Sequence, residues 1–346
     1  SLGQAIQARE DESDGDTNLV NSAEWWEPDN TTLIELGKRV ERVNDVCKTR
    51  SLFSQPINNK EFFVDHAHNI VWCNIFKAAS TSWLYRLNIL STYPLNLDST
   101  NLSRPILTSI LILGGYDKNF LHRTRQNPLT LARKKYPRPS EEELRDAVNT
   151  PGVVSFLIVR EPFVRLLSAY RDKLENITPP YYRKLARAIV AKHRETATKI
   201  FGPIKSFGPT FYEFVAYLIE KYKSENQSFE FDEHWAPYYR FCTPCALNFS
   251  VIAKVESLSR DSAYIINQLG LGYMFDVGSS NRKIQIRTVM NKSRDGRNTH
   301  VLLKYYFKQI DKKMLNDLLG IYGIDFEMFG YDSKSLKVIN PDEPSL

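Results

Sequence analysis

The chain has 346 residues, of which 42% are apolar, 25% are charged and 12% are aromatic. These proportions are typical of a globular protein, and the length allows either one large α/β core or two smaller ones. The formal net charge is only +6, and because no RNA- or DNA-binding signature accompanies it, nucleic acid is not among the partners that we expect. No stretch of the sequence reaches the roughly 20 apolar residues that span a bilayer.

The first 30 residues are acidic and polar, which is typical of a disordered stalk. From Leu33 onward, apolar residues recur at helical spacing, which predicts an amphipathic helix. Residues 62–75 predict two short strands, and Thr81 and Ser82 open a second helix. The folded part of the chain is therefore expected to begin near residue 31.

The later elements alternate between strands and helices. The apolar run 153–159 predicts a strand that is covered on both faces, and residues 251–254 predict another. Helices are predicted at 141–148, 181–200, 210–223, 258–269, 300–307 and 312–322. This alternation predicts an α/β fold with a parallel sheet and helices on both faces. We expect one domain over residues 31–332, followed by a flexible tail at 333–346.

The four cysteines are interpreted as structural. Cys73 lies in a strand pattern and is most simply a small buried apolar residue. Cys242 and Cys245 are separated by two residues, which would suit a local disulfide, half of a metal site or a redox pair. A zinc site needs a second pair of ligands, and none occurs at the usual spacing. The partner of Cys47 is left open.

Six N-x-S/T sequons favour a secretory lumen, where such asparagines are glycosylated. They are Asn30, Asn101, Asn176, Asn226, Asn248 and Asn291.

A cation and several hydroxyl groups follow the first predicted buried strand, at residues 70–75. This first loop consists of Phe76, Lys77, Ala78, Ala79, Ser80, Thr81 and Ser82. In a strand–loop–helix unit, backbone N–H groups and the positive end of the helix dipole point at the ligand in the loop. The loop has no glycine and its lysine comes early, so it differs from the ATP-binding Walker loop. It predicts a site for a small anion.

A second cation follows the strand that ends at Val159. Arg160 would lie at the carboxyl end of that strand, where open α/β sheets bind ligands. Ser168 lies on the next helix, and an arginine together with a hydroxyl suits a phosphate. Alternatively, Glu161 neutralises Arg160 and the pair is structural. Two anion sites would suit a nucleotide with separate 5′ and 3′ anionic groups.

These segments resemble the 5′-phosphosulfate loop and the 3′-phosphate motif of sulfotransferases that use 3′-phosphoadenosine 5′-phosphosulfate (PAPS). More narrowly, they resemble Golgi carbohydrate sulfotransferases of the chondroitin, dermatan 4-O and HNK-1 types. Phe76 and Ser82 depart from that family's first motif, which has proline and asparagine there. The second motif matches almost completely, and it comprises Arg160, Glu161, Pro162, Phe163, Val164, Arg165, Leu166, Leu167 and Ser168. Residues 233–237, which lead to 242–245, also match, as do residues 254–258 and 325–331.

The resemblance implies a P-loop-like fold and in-line, metal-independent transfer of a sulfuryl group from PAPS to a glycan hydroxyl. Lys77 would neutralise charge on the leaving oxygens, and Arg160 and Ser168 would hold the 3′-phosphate. A general base should take the hydroxyl proton. His234 is the first candidate for that base, and His66, His68 and Glu233 are alternatives.

The resemblance also implies an acidic glycan acceptor, either chondroitin- or dermatan-like or an N-glycan terminus. Three basic groups would favour such a partner, although a solvated surface is the alternative. They are Arg133, Lys134, Lys135 and Arg138; Arg183, Lys184, Arg187, Lys192 and Arg194; and Arg282, Lys283, Arg287, Lys292, Arg294 and Arg297. The expected location is the Golgi lumen, in a single-pass type II protein whose membrane anchor precedes Ser1. Rival functions are a nucleoside triphosphate-dependent kinase and a non-catalytic glycan- or nucleotide-binding homologue.

Overall fold

The computed structural model describes residues 28–91, 127–175, 179–225, 229–275 and 299–333. Most of the predicted acidic stalk, the basic group between Arg282 and Arg297, and nearly all of the C-terminal tail lie outside these residues. The sequons at Asn101, Asn176, Asn226 and Asn291 lie outside them as well. Asn30 and Asn248 are described, and both are exposed. In the described ranges, no helix combines the length and the apolar character that a membrane span needs.

Four strands form one sheet in the order β1-β2-β3-β4. The strands are β1 (Phe62–Asp65), β2 (Ile70–Cys73), β3 (Val154–Val159) and β4 (Val251–Lys254). The last three are parallel, with Trp72 opposite Phe156 and Phe156 opposite Val251. A four-residue turn joins β1 to β2, so that β1 runs antiparallel at the edge. The predicted α/β fold with a largely parallel sheet is confirmed.

Helices connect the strands and cover the sheet. Among the described residues they are α1 (Asn30–Thr49), α2 (Ser80–Leu90), α3 (Pro128–Lys135), α4 (Glu141–Asn149), α5 (Pro162–Tyr170), α6 (Pro180–Phe201), α7 (Phe211–Ser224), α8 (Tyr238–Phe241), α9 (Leu258–Gln268), α10 (Gly272–Phe275), α11 (Thr299–Phe307) and α12 (Lys312–Met328). A π-helical turn, Arg171–Glu175, extends α5, and a 3₁₀ turn, Val255–Ser257, precedes α9. Neither α3 nor the π-helical turn was predicted. Helix α12 continues past the predicted end because Phe326 and Met328 are buried in the core.

The two faces of the sheet pack against different helices. Because side chains alternate along a strand, Val71 and Leu157 face α1 and α4, whereas Trp72 and Phe156 face α2 and α9. The Trp72 ring lies 6.3 Å from Phe156 and 6.4 Å from Trp83, measured between ring centroids. Burying aromatic side chains of this size stabilises the fold by about 1.5–3 kcal/mol each. This packing fixes where α2 begins after β2.

Two disulfides correct the predictions for the cysteines. Cys73 is bonded to Cys242, and Cys47 is bonded to Cys245. Cys73 is buried as predicted, but it forms a disulfide rather than being only a small apolar residue. Cys242 and Cys245 form neither a local disulfide nor a redox pair with each other. Cys242 and Cys245 instead link the segment that follows α8 to two places, the end of β2 and α1. The interpretation of the four cysteines as structural is confirmed.

We expect a variant with both Cys73→Ser and Cys242→Ser to lose about 3–5 kcal/mol of unfolding free energy. The bond closes a loop with a sequence separation of 169 residues, and a long cross-link restricts the unfolded chain strongly. Urea-induced unfolding followed by circular dichroism would measure the loss. A variant with Cys47→Ser and Cys245→Ser is a parallel test of the second disulfide, and it should lose a similar amount of unfolding free energy. An unchanged unfolding midpoint in the first variant would contradict the cross-link.

Candidate active site

The two predicted anion sites lie at the same edge of the sheet, which here means the end where the parallel strands have their carboxyl termini, not the side formed by an outer strand. Strands β2 and β3 are parallel, so the first loop (residues 76–82) and Arg160 both follow carboxyl ends. Strand β1 is antiparallel, and the residues before it therefore approach the same edge. This parallel arrangement of β2 and β3 supports the prediction that the two anion sites face one ligand.

Two of the alternative bases lie at the opposite edge of the sheet. His66 and His68 belong to the turn between β1 and β2, which precedes the amino end of β2. His66 Nε2 is 3.3 Å from Glu143 Oε1, and His68 Nδ1 is 2.8 Å from Asp65 Oδ2. Strand β2 separates both histidines from the first loop. The structure therefore excludes His66 and His68 as bases at that loop.

The first loop has an unusual backbone. Lys77 and Ala79 have φ values of 67° and 62°, in the left-handed region that favours glycine. Ala79 is the N-cap of α2, and its side chain cannot accept a hydrogen bond from the first turn. Such strain persists where the surroundings enforce it, commonly at ligand sites. A helix N-terminus without a capping side chain is suited to an anion.

Side chains of the first loop divide into buried and accessible groups. Ala78 and Ser82 are buried, so Ser82 contributes packing where the family has asparagine. The partly exposed residues are Phe76, Lys77, Ala79, Ser80 and Thr81. The side chains that remain suited to an anion are therefore those of Lys77, Ser80 and Thr81.

Lys77 lies within a cluster of charges. Its Nζ is 3.4 Å from Asp172 Oδ2 in the π-helical turn, and Lys173 Nζ is 3.2 Å from the same oxygen. Burial lowers the pKa of Lys77, Asp172 opposes that shift, and the positive charges of Lys173 and Arg160 lower the pKa further. Lys173 and Arg160 are therefore near enough to Lys77 to act on its ammonium group electrostatically.

Arg160 has no ion pair among the described residues. Burial lowers its pKa, and the nearby Glu161 and Glu256 oppose the shift. The Glu161 side chain instead accepts a hydrogen bond of 2.5 Å from Val164 N at the start of α5. Glu256 accepts hydrogen bonds from Glu161 N and Tyr331 OH. The structure therefore contradicts the alternative in which Glu161 forms an ion pair with Arg160.

The remainder of the second motif (residues 160–168) builds the scaffold around Arg160 and Ser168. Burial raises the pKa of Glu161 to about 7. Ser168 is partly exposed on α5. The side chains in the core are those of Pro162, Phe163, Val164, Leu166 and Leu167. Within this motif, the side chains that remain candidates for contact with a nucleotide donor are therefore those of Arg160 and Ser168.

Arg165 connects the first loop to the segment that contains His234. Its side chain is buried at 2% exposure and donates hydrogen bonds to three carbonyl oxygens. The distances are 3.0 Å to Phe76 O, 2.6 Å to Ala236 O and 3.1 Å to Glu233 O. Because all these acceptors are backbone atoms, Arg165 positions both segments rather than facing solvent.

Hydrogen bonds hold the imidazole of His234 through one of its two nitrogens, Nδ1. Its Nδ1 lies 2.9 Å from Asp232 Oδ1 and 3.0 Å from Tyr182 OH. The Phe76 ring packs on the imidazole, with 4.6 Å between the ring centroids. In the tautomer that donates Nδ1–H to Asp232, Nε2 is the proton acceptor, and it has no hydrogen-bond partner among the described residues. Such an arrangement is suited to general-base catalysis.

Burial, more than the surrounding charges, favours the neutral form of His234. Burial lowers its pKa below the ordinary value of 6.5, and the positive charges of Lys173 and Lys77 act in the same direction, while Asp232 opposes them. Neighbouring Glu233 remains an alternative base. Burial and the negative charges of Glu61 and Asp232 raise the pKa of Glu233 to about 7.

Sequence reasoning missed four residues of this site: Tyr182, Asp172, Lys173 and Asp232. Asp232 lies two residues before His234, so an acid beside a candidate base was visible in the sequence. Asp172 and Lys173 follow the second motif closely, but only the π-helical turn directs them toward Lys77. Tyr182 comes from α6, and no sequence signal connects it to His234.

The chain is similar in sequence to several carbohydrate sulfotransferases. The chain is 29% identical over 293 residues to carbohydrate sulfotransferase 12 of Xenopus laevis, which covers 82% of the chain and 63% of that relative. It is 27% identical over 310 residues to carbohydrate sulfotransferase 11 of Rattus norvegicus, covering 87% of the chain and 77% of the relative. It is 28% identical over 298 residues to carbohydrate sulfotransferase 14 of Danio rerio, covering 84% and 69%.

No solved structure gives a significant match. The model of the sulfotransferase family matches residues 60–332, a range that includes both predicted anion sites and His234. The resemblance seen in the two motifs is thereby confirmed, and the chain belongs to the sulfotransferase family.

Proposed function

We propose that the protein is a carbohydrate sulfotransferase that moves the sulfuryl group of PAPS to a glycan hydroxyl, in line and without a metal ion. The observation that carries the proposal is the joint position of Lys77, Arg160 and the Asp232–His234 pair at one edge of the sheet. The relatives named as carbohydrate sulfotransferases support the glycan as acceptor.

The residues at this edge fit a donor with two anionic ends. The first loop offers a cation, hydroxyl groups and a helix N-terminus, and Arg160 offers a second cation without an ion-pair partner in the described chain. Lys77, Ser80 and Thr81 would hold the 5′ end, and Arg160 and Ser168 the 3′-phosphate. PAPS supplies an activated sulfuryl group, and Lys77 would stabilise the negative charge that develops on its leaving oxygen.

His234 would act on the acceptor. Its Nε2 would take the proton of the attacking hydroxyl, and Asp232 would stabilise the imidazolium that results. Tyr182 and the Phe76 ring hold the imidazole in place. Because Arg165 ties the backbone of both segments together, donor and acceptor would be aligned by one buried side chain.

The proposed location is the Golgi lumen, in a single-pass type II protein. Two disulfides favour an oxidising compartment, and exposed sequons at Asn30 and Asn248 are available for glycosylation there. We propose an acidic glycan as acceptor, of the chondroitin or dermatan type or an N-glycan terminus.

Transfer of radiolabelled sulfate from PAPS to a panel of desulfated glycans, with EDTA present, tests the proposed function. Transfer to at least one glycan is the expected result. Full dependence on magnesium and on a nucleoside triphosphate would favour a kinase. Binding of glycan or nucleotide with no transfer would favour a non-catalytic homologue.

We expect Arg160→Ala to bind 3′-phosphoadenosine 5′-phosphate (PAP) about 10- to 100-fold more weakly than the parent. The change removes a charged hydrogen bond worth about 1.5–3 kcal/mol. Isothermal titration calorimetry with PAP measures the effect. Arg145→Ala is the matched control, because Arg145 is exposed on α4, away from the first loop. Equal affinity of Arg160→Ala and the parent would refute the role of Arg160.

A further inference from the structure

A cavity of about 470 Å³ opens next to the proposed catalytic segment. Its walls come from the residues before β1, from the segment that leads to His234 and from α8. They include Lys60, Glu61, Glu233 and Arg240. Since β1 is antiparallel to β2, the residues before β1 lie at the same edge of the sheet as the first loop. The cavity is therefore beside the donor site, with Glu233 on the shared border.

Most charges in the wall of this cavity are paired with each other. Lys60 Nζ is 2.6 Å from Glu230 Oε1, and Arg138 Nη2 is 3.2 Å from Glu61 Oε1. Arg240 differs from them, since its guanidinium has neither an ion pair nor a hydrogen bond among the described residues. Its Nη1 is also buried without a hydrogen-bond partner in that part of the chain.

Arg240 as a whole is partly exposed, but its buried Nη1 is shielded from water, and a donor in that state costs free energy unless a ligand accepts its hydrogen bond. The Arg240 guanidinium lies over the Phe231 ring, with 5.3 Å between its Cζ and the ring centroid. Phe229 packs against Phe231 with 4.7 Å between the ring centroids. The cavity thus combines one unsatisfied cation with an aromatic wall that suits the apolar face of a sugar ring.

We propose that this cavity binds the acceptor glycan and that Arg240 pairs with a singly charged oxyanion on an acidic sugar beside the hydroxyl to be sulfated. The proposal rests on the proposed function. An arginine fork matches two oxygens of one anion, and either a uronic acid carboxylate or a sulfate ester provides them. The position of Glu233 next to His234 would bring the neighbouring hydroxyl to the base.

Calorimetry tests the proposal without requiring turnover. The PAP-saturated protein would be titrated with desulfated chondroitin, with carboxyl-reduced sulfated chondroitin, and with chondroitin that is both desulfated and carboxyl-reduced. We expect Arg240→Gln to bind the glycan that carries the recognised anion at least about tenfold more weakly than the parent. The uncharged glycan should bind the parent and Arg240→Gln about equally. Arg240→Lys should give an intermediate affinity, because it keeps the charge and loses the fork.

The glycans distinguish the two sources of the anion. A loss confined to desulfated chondroitin assigns a carboxylate, and a loss confined to the carboxyl-reduced sulfated form assigns a sulfate ester. Equal binding of all glycans by the parent and by a folded Arg240→Gln would overturn the proposal. Weaker PAP binding by that variant would overturn it as well. Arg145→Gln is the matched control for loss of an exposed arginine.

Steady-state kinetics separate this proposal from the proposed function. If the parent transfers sulfate, Arg240→Gln should raise KM for the recognised glycan about tenfold and change kcat much less. If the parent binds glycan through Arg240 but transfers no sulfate, the proposed function fails and the binding assignment stands.

Discussion

Lys77→Ala should slow sulfuryl transfer by about 10²- to 10³-fold while PAP affinity falls much less. The charge on the leaving oxygen grows as the transition state forms, and a cation placed there stabilises the transition state more than bound substrate. Lys77 belongs to the loop that leads into α2, where residues 77 and 79 both have left-handed backbone angles and Ala79 is the N-cap. Asp172 holds the ammonium group, with 3.4 Å between Nζ and Oδ2.

Single-turnover measurements with saturating PAPS and glycan would show the loss in the chemical step, and calorimetry would give the PAP affinity. Lys38→Ala is the matched control, since Lys38 is exposed on α1. Lys77→Arg should recover only part of the rate, because the planar guanidinium replaces a compact charge. A loss that appears only as a higher KM for PAPS would mean that Lys77 binds the donor without assisting transfer.

Much of the fold could be predicted because its signals are local. The run that became β3 is apolar at every position except Ser155, and all six of its residues are buried. Helix α7 also begins where expected, since Thr210 and Glu213 form a capping box. The pairing of Cys73 with Cys242 had no local signal, because it depends on how distant segments meet in the sheet.

The candidate site was only partly visible in the sequence for the same reason. The positions of Lys77, Arg160 and His234 in matched segments could be named before the structure was known. The inward direction of Arg165 could not, because its three acceptors are carbonyl oxygens of two other segments. Likewise, His66 and His68 are close to the first loop in sequence, yet a strand places them at the other edge of the sheet.

His234→Asn should lower kcat by about 10³-fold, within the range that a positioned general base contributes. PAP affinity should change little, since the imidazole is assigned to the acceptor. Single-turnover transfer and PAP calorimetry would measure the two quantities. Glu233→Gln is the comparison variant for the alternative base, as it alters the neighbouring carboxylate and leaves the Asp232–His234 contact of 2.9 Å in place.

The pH dependence separates the two candidate bases. His234 accepts a proton only when neutral, so kcat/KM should fall as the pH drops through its pKa, which burial holds below 6.5. Asp232→Asn should move this limb to still lower pH and also slow transfer, because the carboxylate both raises the pKa of His234 and orients the ring. If Glu233 were the base, the acidic limb of the kcat/KM profile would lie near pH 7, because burial and neighbouring negative charges raise the pKa of Glu233 to about 7. That limb would then survive in His234→Asn and disappear in Glu233→Gln.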